Sequence, residues 1–252
     1  MSRPPRRLPW ALAAVTVGLQ MTYPLVDGEP LRLVTIGIVV AFAGTCVTHA
    51  AAARGWAWSL RFLALTAGFG LAVEAVGVRT GIPFGQYDYS GTLGAKVLGV
   101  PLVVPLAWTM IAYPVLLAAR RLSRRWAPLV GGFGMAAWDV FLDPQLVADG
   151  RWVWADPEPS LPGIDGVPLT NFAGWLVSGT LLMLLLTRLL PTSRKSLPTK
   201  EILPALLLAW TWAGYVVGNL FWFGEPSVAL TGGLVLGAFV VPYLASLTGA
   251  RR

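Results

Sequence analysis

The chain has 252 residues, 56% of them hydrophobic and only 12% charged, with a formal net charge of +7 and a mean hydropathy of +0.66. About a quarter of the residues of an ordinary soluble domain are charged, so this composition excludes a soluble enzyme. It predicts an integral membrane protein.

A membrane-crossing helix needs about 20 apolar residues. Eight segments qualify, at roughly 8–26, 31–53, 56–77, 98–119, 126–148, 171–190, 202–223 and 226–247, so the expected fold is an all-α polytopic bundle of about eight transmembrane helices. Little is left over for a soluble domain, and residues 1–252 are expected to form a single transmembrane domain. The first segment follows MSRPPRR. No polar mature domain and no clear small-x-small cleavage site come after it, so it reads as an uncleaved helix rather than a signal peptide. The second segment holds the sole cysteine, Cys46, which rules out a disulfide framework or a thiolate metal site. It also holds the sole histidine, His49, too few for the histidine-rich iron sites of oxygen-dependent hydroxylases. No GxGxxG follows a strand, which argues against a nicotinamide or flavin enzyme. In the last segment Gly232, Gly233 and Gly237 form a small-residue face suited to helix packing.

Basic residues cluster at alternate loops: Arg3, Arg6 and Arg7; Arg120, Arg121, Arg124 and Arg125; Arg194, Lys195 and Lys200; Arg251 and Arg252. Under the positive-inside rule this alternation puts both termini in the cytoplasm and loops 78–97 and 149–170 outside. The excess positive charge is thereby assigned to topology and anionic lipid, not to nucleic acid.

The opposite loops carry acids: Asp27, Glu29, Asp88, Asp149, Asp156, Glu158, Asp165 and Glu225. Three more, Glu74, Asp139 and Asp143, fall inside spans on that same side. Ionisable groups at such depth are costly and mark functional sites by default, although Glu74, near Arg79, also reads as a helix-end acid reaching toward water. Asp139 and Asp143, four apart in WDVFLDP, share one helix face, where two like charges favour holding one proton between them.

Aromatic and turn-forming residues surround these acids. GIPFGQYDY (81–89) reads as a structured turn. Trp152 and Trp154, in GRWVWADPEPSLPGIDGVPLTNFAGW, suit either the interfacial belt by their type and place or a role beside the acids. Trp108 and Trp138 fall inside spans, where each indole N–H needs a partner. Asn171 suits either a helix cap or a residue that orients water.

Taken in order, Glu74 with GIPFGQYDY, GVPLVVPLAW (99–108), WDVFLDP (138–144) and GVPLTNFAGW (166–175) resemble the carotenoid biosynthesis membrane family, which includes CruF-type carotenoid 1,2-hydratases and haloarchaeal bisanhydrobacterioruberin hydratases. The likeness runs from about residue 70 to 225, with little of it in the first two helices or the last. It implies cofactor-independent addition of water to the terminal C=C of a linear C40 or C50 carotenoid, giving a tertiary alcohol. The implied partners are a membrane-embedded carotenoid, water, the lipid bilayer and other carotenoid enzymes, with no metal, in a multi-pass protein of the cell membrane.

The residues themselves suit such chemistry. Hydrating a trisubstituted alkene needs a neutral acid in a dry place, and indole or phenol faces stabilise the resulting cation. Asp139 or Asp143 is the expected proton donor, with the other acid or Glu74 positioning the water. Tyr87, Asp88, Tyr89, Trp108, Trp138, Asn171 and Trp175 are the expected substrate contacts. Three other activities remain open. A membrane prenyltransferase or lycopene elongase would use Asp139 and Asp143 on Mg²⁺ and diphosphate. A carotenoid cyclase would share the protonation step, and a proton-coupled transporter would use the acids as a relay.

Overall fold

The computed structural model describes residues 3–191 and 201–249. Eight helices run through them: α1 (Arg7–Thr22), α2 (Gly28–Arg54), α3 (Trp56–Thr80), α4 (Val103–Leu122), α5 (Ala127–Ala148), α6 (Leu169–Leu189), α7 (Ile202–Phe221) and α8 (Pro226–Gly249). Six of them, α2, α3, α4, α6, α7 and α8, are long and apolar enough to cross a membrane. The two others are α1, with 16 residues, and α5, which carries Asp139 and Asp143. The protein is thus an all-α, polytopic membrane bundle. Arg194, Lys195, Lys200, Arg251 and Arg252 lie outside the described residues.

Helix α4 forms the centre and packs against α2, α3, α5, α7 and α8. Its side chains are buried almost without interruption from Val103 to Ala119, which is why its sequence is apolar on every face and not only along one stripe. Sequence neighbours α1 and α2, α5 and α6, and α7 and α8 pair closely around it. The α8 glycines act as packing residues, Gly232 lying against Phe141 and Gly237 against Trp212.

The connections contain six short strands: β1 (Tyr87–Tyr89), β2 (Lys96–Val97), β3 (Val100–Pro101), β4 (Trp152–Trp154), β5 (Ser160–Leu161) and β6 (Ile164–Pro168). β2 with β3 and β5 with β6 are local hairpins, whereas β1 pairs antiparallel with β4. The loop after α3 is therefore joined to the loop after α5, with Tyr87 opposite Trp154 and Tyr89 opposite Trp152. Backbone bonds from Ser90 to Arg151 (2.8 Å) and from Ala155 to Gln86 (2.9 Å) extend this ladder at both ends.

Candidate functional site

Glu74 stands near the end of α3 and is 4% exposed, while Arg79 is exposed. It is therefore no acid reaching for water. Three neutral donors converge on it: Tyr87 Oη (2.5 Å) and Tyr89 Oη (2.7 Å) on Oε2, and Trp108 Nε1 (3.0 Å) on Oε1. Burial first, and then the Glu74 charge, push both phenols well above the ordinary tyrosine range, so each keeps the proton it donates.

The local sequence explains this convergence. Gly70 and Gly77 flank Glu74 on its own helix face. A Cβ on Gly70 would sit 2.6 Å from the Trp108 ring, and one on Gly77 would sit 2.8 Å from Tyr87 Oη. The two glycines therefore make room for two of the three donors. Gly81, at φ +74°, ends α3 in the left-handed region and turns the chain back toward β1. The two-residue period of β1 aims Tyr87 and Tyr89 inward and Asp88 outward. Asp88 is exposed, which corrects the expectation that it contacts substrate.

The second acidic group lies between α5 and α6. Asp139 (0% exposed) and Asp143 (3%) are both buried. Asn171 Nδ2 donates to Asp139 Oδ2 at 2.8 Å and to Asp143 Oδ2 at 2.5 Å, so one amide bridges the pair expected from the i, i+4 spacing. Asp139 Oδ1 is buried and receives no hydrogen bond among the described residues. Asn171 is not a cap: the helix begins at Leu169 with Pro168 at the N-cap position. The tight approach of α5 and α6, in which Gly132 faces Thr180 and Gly179 faces Met135, brings it to the acids.

Glu74, Asp143 and Asn171 line one narrow cavity of about 70 Å³. Its walls are aromatic: Tyr87, Tyr89, Trp108, Trp152, Trp154 and Trp175 all face it. Trp108 stacks on Trp175 with ring centroids 4.5 Å apart, and Trp154 Nε1 anchors to the Phe84 carbonyl at 2.9 Å. Asp139 is not among the lining residues and sits behind Asn171. Trp138, expected as a substrate contact, is buried against Phe42 and lines a second cavity rather than the one with Glu74 and Asp143. Trp152 and Trp154, for which the sequence left the interfacial belt and the site equally open, line this cavity. The mirrored patterns YDY and WVW were the available signal for them. Among the described residues no three of His, Cys, Asp and Glu cluster closely enough to hold a metal ion. His49 bonds Tyr113 Oη at 2.8 Å and lines neither this cavity nor its larger neighbour.

Fold and site together define a polytopic membrane protein with buried carboxyl groups in an aromatic cavity. Residues 30–240 match the family described as carotenoid biosynthesis protein, and the chain belongs to that family. The match takes in nearly all of α2 and much of α8, so it is wider than the stretch from about residue 70 to 225 that carried the resemblance. Among curated proteins, the chain is 36% identical over 133 residues to a bisanhydrobacterioruberin hydratase of Haloarcula japonica, covering 50% of this chain and 43% of that protein. The chain thus spans less than half the length of this relative. No solved structure matches.

Proposed function

We propose that the protein is a carotenoid hydratase, a cofactor-independent hydro-lyase. It adds water to the terminal C=C of a linear, acyclic-ended C40 or C50 carotenoid and gives a tertiary alcohol. The name of the Haloarcula relative supports the reaction class. The observation that carries the reading is the placement of Glu74, Asp143 and Asn171 in one aromatic-walled cavity. Hydration is redox-neutral, so it calls only for a proton, a water and a shielded cation.

Asp143 lines the cavity and Asp139 does not, so Asp143 is the proton donor in this mechanism. The alkene π pair takes the Asp143 carboxyl proton at its less substituted carbon, forming a C–H bond and leaving a tertiary cation. The faces of Trp108, Trp175 and the tyrosines stabilise that cation. Glu74, fixed by three donors, accepts a hydrogen bond from the attacking water and aims its oxygen at the cation. The C–O bond forms, and the water's surplus proton returns to the carboxyl groups. Asn171 holds Asp139 and Asp143 together, so that one proton shared by the pair can be delivered and replaced.

The protein lies in the cell membrane with both termini cytoplasmic, so the cavity opens toward the outer leaflet. Residues 1–252 act as a single transmembrane domain. Expression in hosts that accumulate linear C40 or C50 carotenoids tests the function. A pigment heavier by one water per modified end is the expected product. A ring-closed isomer of unchanged mass would point to a cyclase, and a product lengthened by isoprene units to a prenyltransferase.

A further inference from the structure

A second, larger cavity of about 440 Å³ lies beside the acid cavity, between α1, α2, α5 and α7. The two share Thr35, Val39, Met110, Leu142 and Leu146 as a common wall. Small-molecule sites usually enclose about 300–1,000 Å³. The acid cavity, at about 70 Å³, falls far below that range. Since a water alone takes about 30 Å³ of liquid volume, it accommodates a chain end and a water but no polyene body. The larger cavity falls within the range, and it is lined mainly by apolar side chains; of its polar groups, Thr211 Oγ1 is buried with no hydrogen-bond partner among the described residues, and two others are engaged. Thr35 Oγ1 bonds the Leu31 carbonyl at 2.7 Å, and Tyr23 Oη bonds Asp149.

We propose that this cavity is the binding groove for the polyene body of the same substrate molecule whose end enters the acid cavity, and that the chain slides in from the bilayer between α1 and α7. The identity of the ligand rests on the hydratase reading; the groove and the wall it shares with the acid cavity do not. Helices α1 and α7 each pack on their own sequence neighbour. They meet where Trp210 Nε1 bonds Gln20 Oε1 at 2.9 Å, an exposed contact that both residues make on the rim of the groove. Beside it Met21 (60% exposed), Leu25 (71%) and Trp222 (55%) offer apolar surface to lipid. An apolar chain therefore meets apolar surface from the hydrocarbon phase up to the common wall, with the Trp210–Gln20 hydrogen bond to part at the entrance and the side chains of that wall, Leu142 and Leu146 among them, to pass before Asp143.

Gly214 provides the test. It lines the groove, and a Cβ there meets nothing within 4 Å, so Gly214→Leu fills the groove without a clash at Cβ while favouring the helix. Ile38→Trp fills it from α2, and Gly68→Leu, on the exposed face of α3 with equally open space, is the control. The full chain in lipid nanodiscs is titrated with lycopene, a linear acyclic-ended polyene, and binding is followed by quenching of tryptophan fluorescence. Circular dichroism checks that each variant is folded. Both filling variants are expected to weaken binding about tenfold or more, as overpacking of about 1–3 kcal/mol implies, while Gly68→Leu binds as wild type does. Unchanged binding in folded Gly214→Leu and Ile38→Trp, or no binding by the wild type, would overturn the groove. If binding follows the expected pattern but no water is ever added to the pigment, the groove stands and the hydratase reading falls.

Discussion

Glu74 and the Asp139–Asp143 pair are solvated by the protein in different ways. Glu74 receives three hydrogen bonds, from two phenols and an indole, whereas the two aspartates share one amide and Asp139 Oδ1 has no partner among the described residues. An amide at position 74 would offer one acceptor oxygen to three donors, so its N–H would face either the Trp108 indole, which cannot accept, or the phenols, which would have to turn their own O–H away. Glu74→Gln should therefore destabilise the site by about 1–3 kcal/mol and abolish most activity. Asp143→Asn removes the transferable proton, and its loss should approach the upper end of the roughly 10²–10⁴-fold range of general acid catalysis. Asp139→Asn should also be severe, because Asn171 then bridges an amide and an acid. Asp156→Asn and Glu158→Gln, on exposed loop positions, should remain near wild type. Hydration rates at matched membrane expression check this order. Near-wild-type activity in both the Asp139 and Asp143 amides would move the donor to Glu74 or Asp88. The three in-span acids were readable from sequence because a carboxyl inside an apolar segment is conspicuous. Asp88 misled because nearness to Tyr87 and Tyr89 in sequence means the opposite face in a strand.

At the level of elements, the donors around Glu74 depend on close approach. Gly70 admits Trp108 to the surface of α3, Gly77 admits Tyr87, and the β1–β4 pairing holds Tyr87 and Tyr89 against the helix. Gly70→Ala and Gly77→Ala should each cost about 1–3 kcal/mol through overpacking. They should lower activity further by shifting a Glu74 donor, and Gly68→Ala, which meets open space, should do neither. Thermal unfolding together with product yield measures both effects. The helices were legible because each offers a long apolar run. The β1–β4 pair was not, since it joins three-residue strands more than sixty residues apart and so short a run carries almost no periodic signal. The start of α6 was misplaced for a related reason. Asn171 looks like a cap by residue type, but the strand β6 runs up to Pro168 and leaves Asn171 inside the helix.

For the whole molecule, the eight α-helices of the described residues and the alternating basic loops of the sequence predict an acidic, aromatic face and a basic one. A cysteine at Ser123, between α4 and α5, should be labelled only from the cytoplasmic side, and one at Asp88 or Asp156 only from outside. Cys46 is buried and should not interfere. The reverse pattern would invert the orientation while leaving the cavity intact. The central claim, that a carboxyl proton and a water molecule suffice for the reaction, is tested most directly by the source of the product oxygen. Cells expressing the protein with a linear carotenoid are grown in ¹⁸O-water under ordinary O₂, and then with the labels exchanged. The account predicts that the tertiary hydroxyl carries ¹⁸O from water and none from O₂. A hydroxyl labelled from O₂ would contradict it.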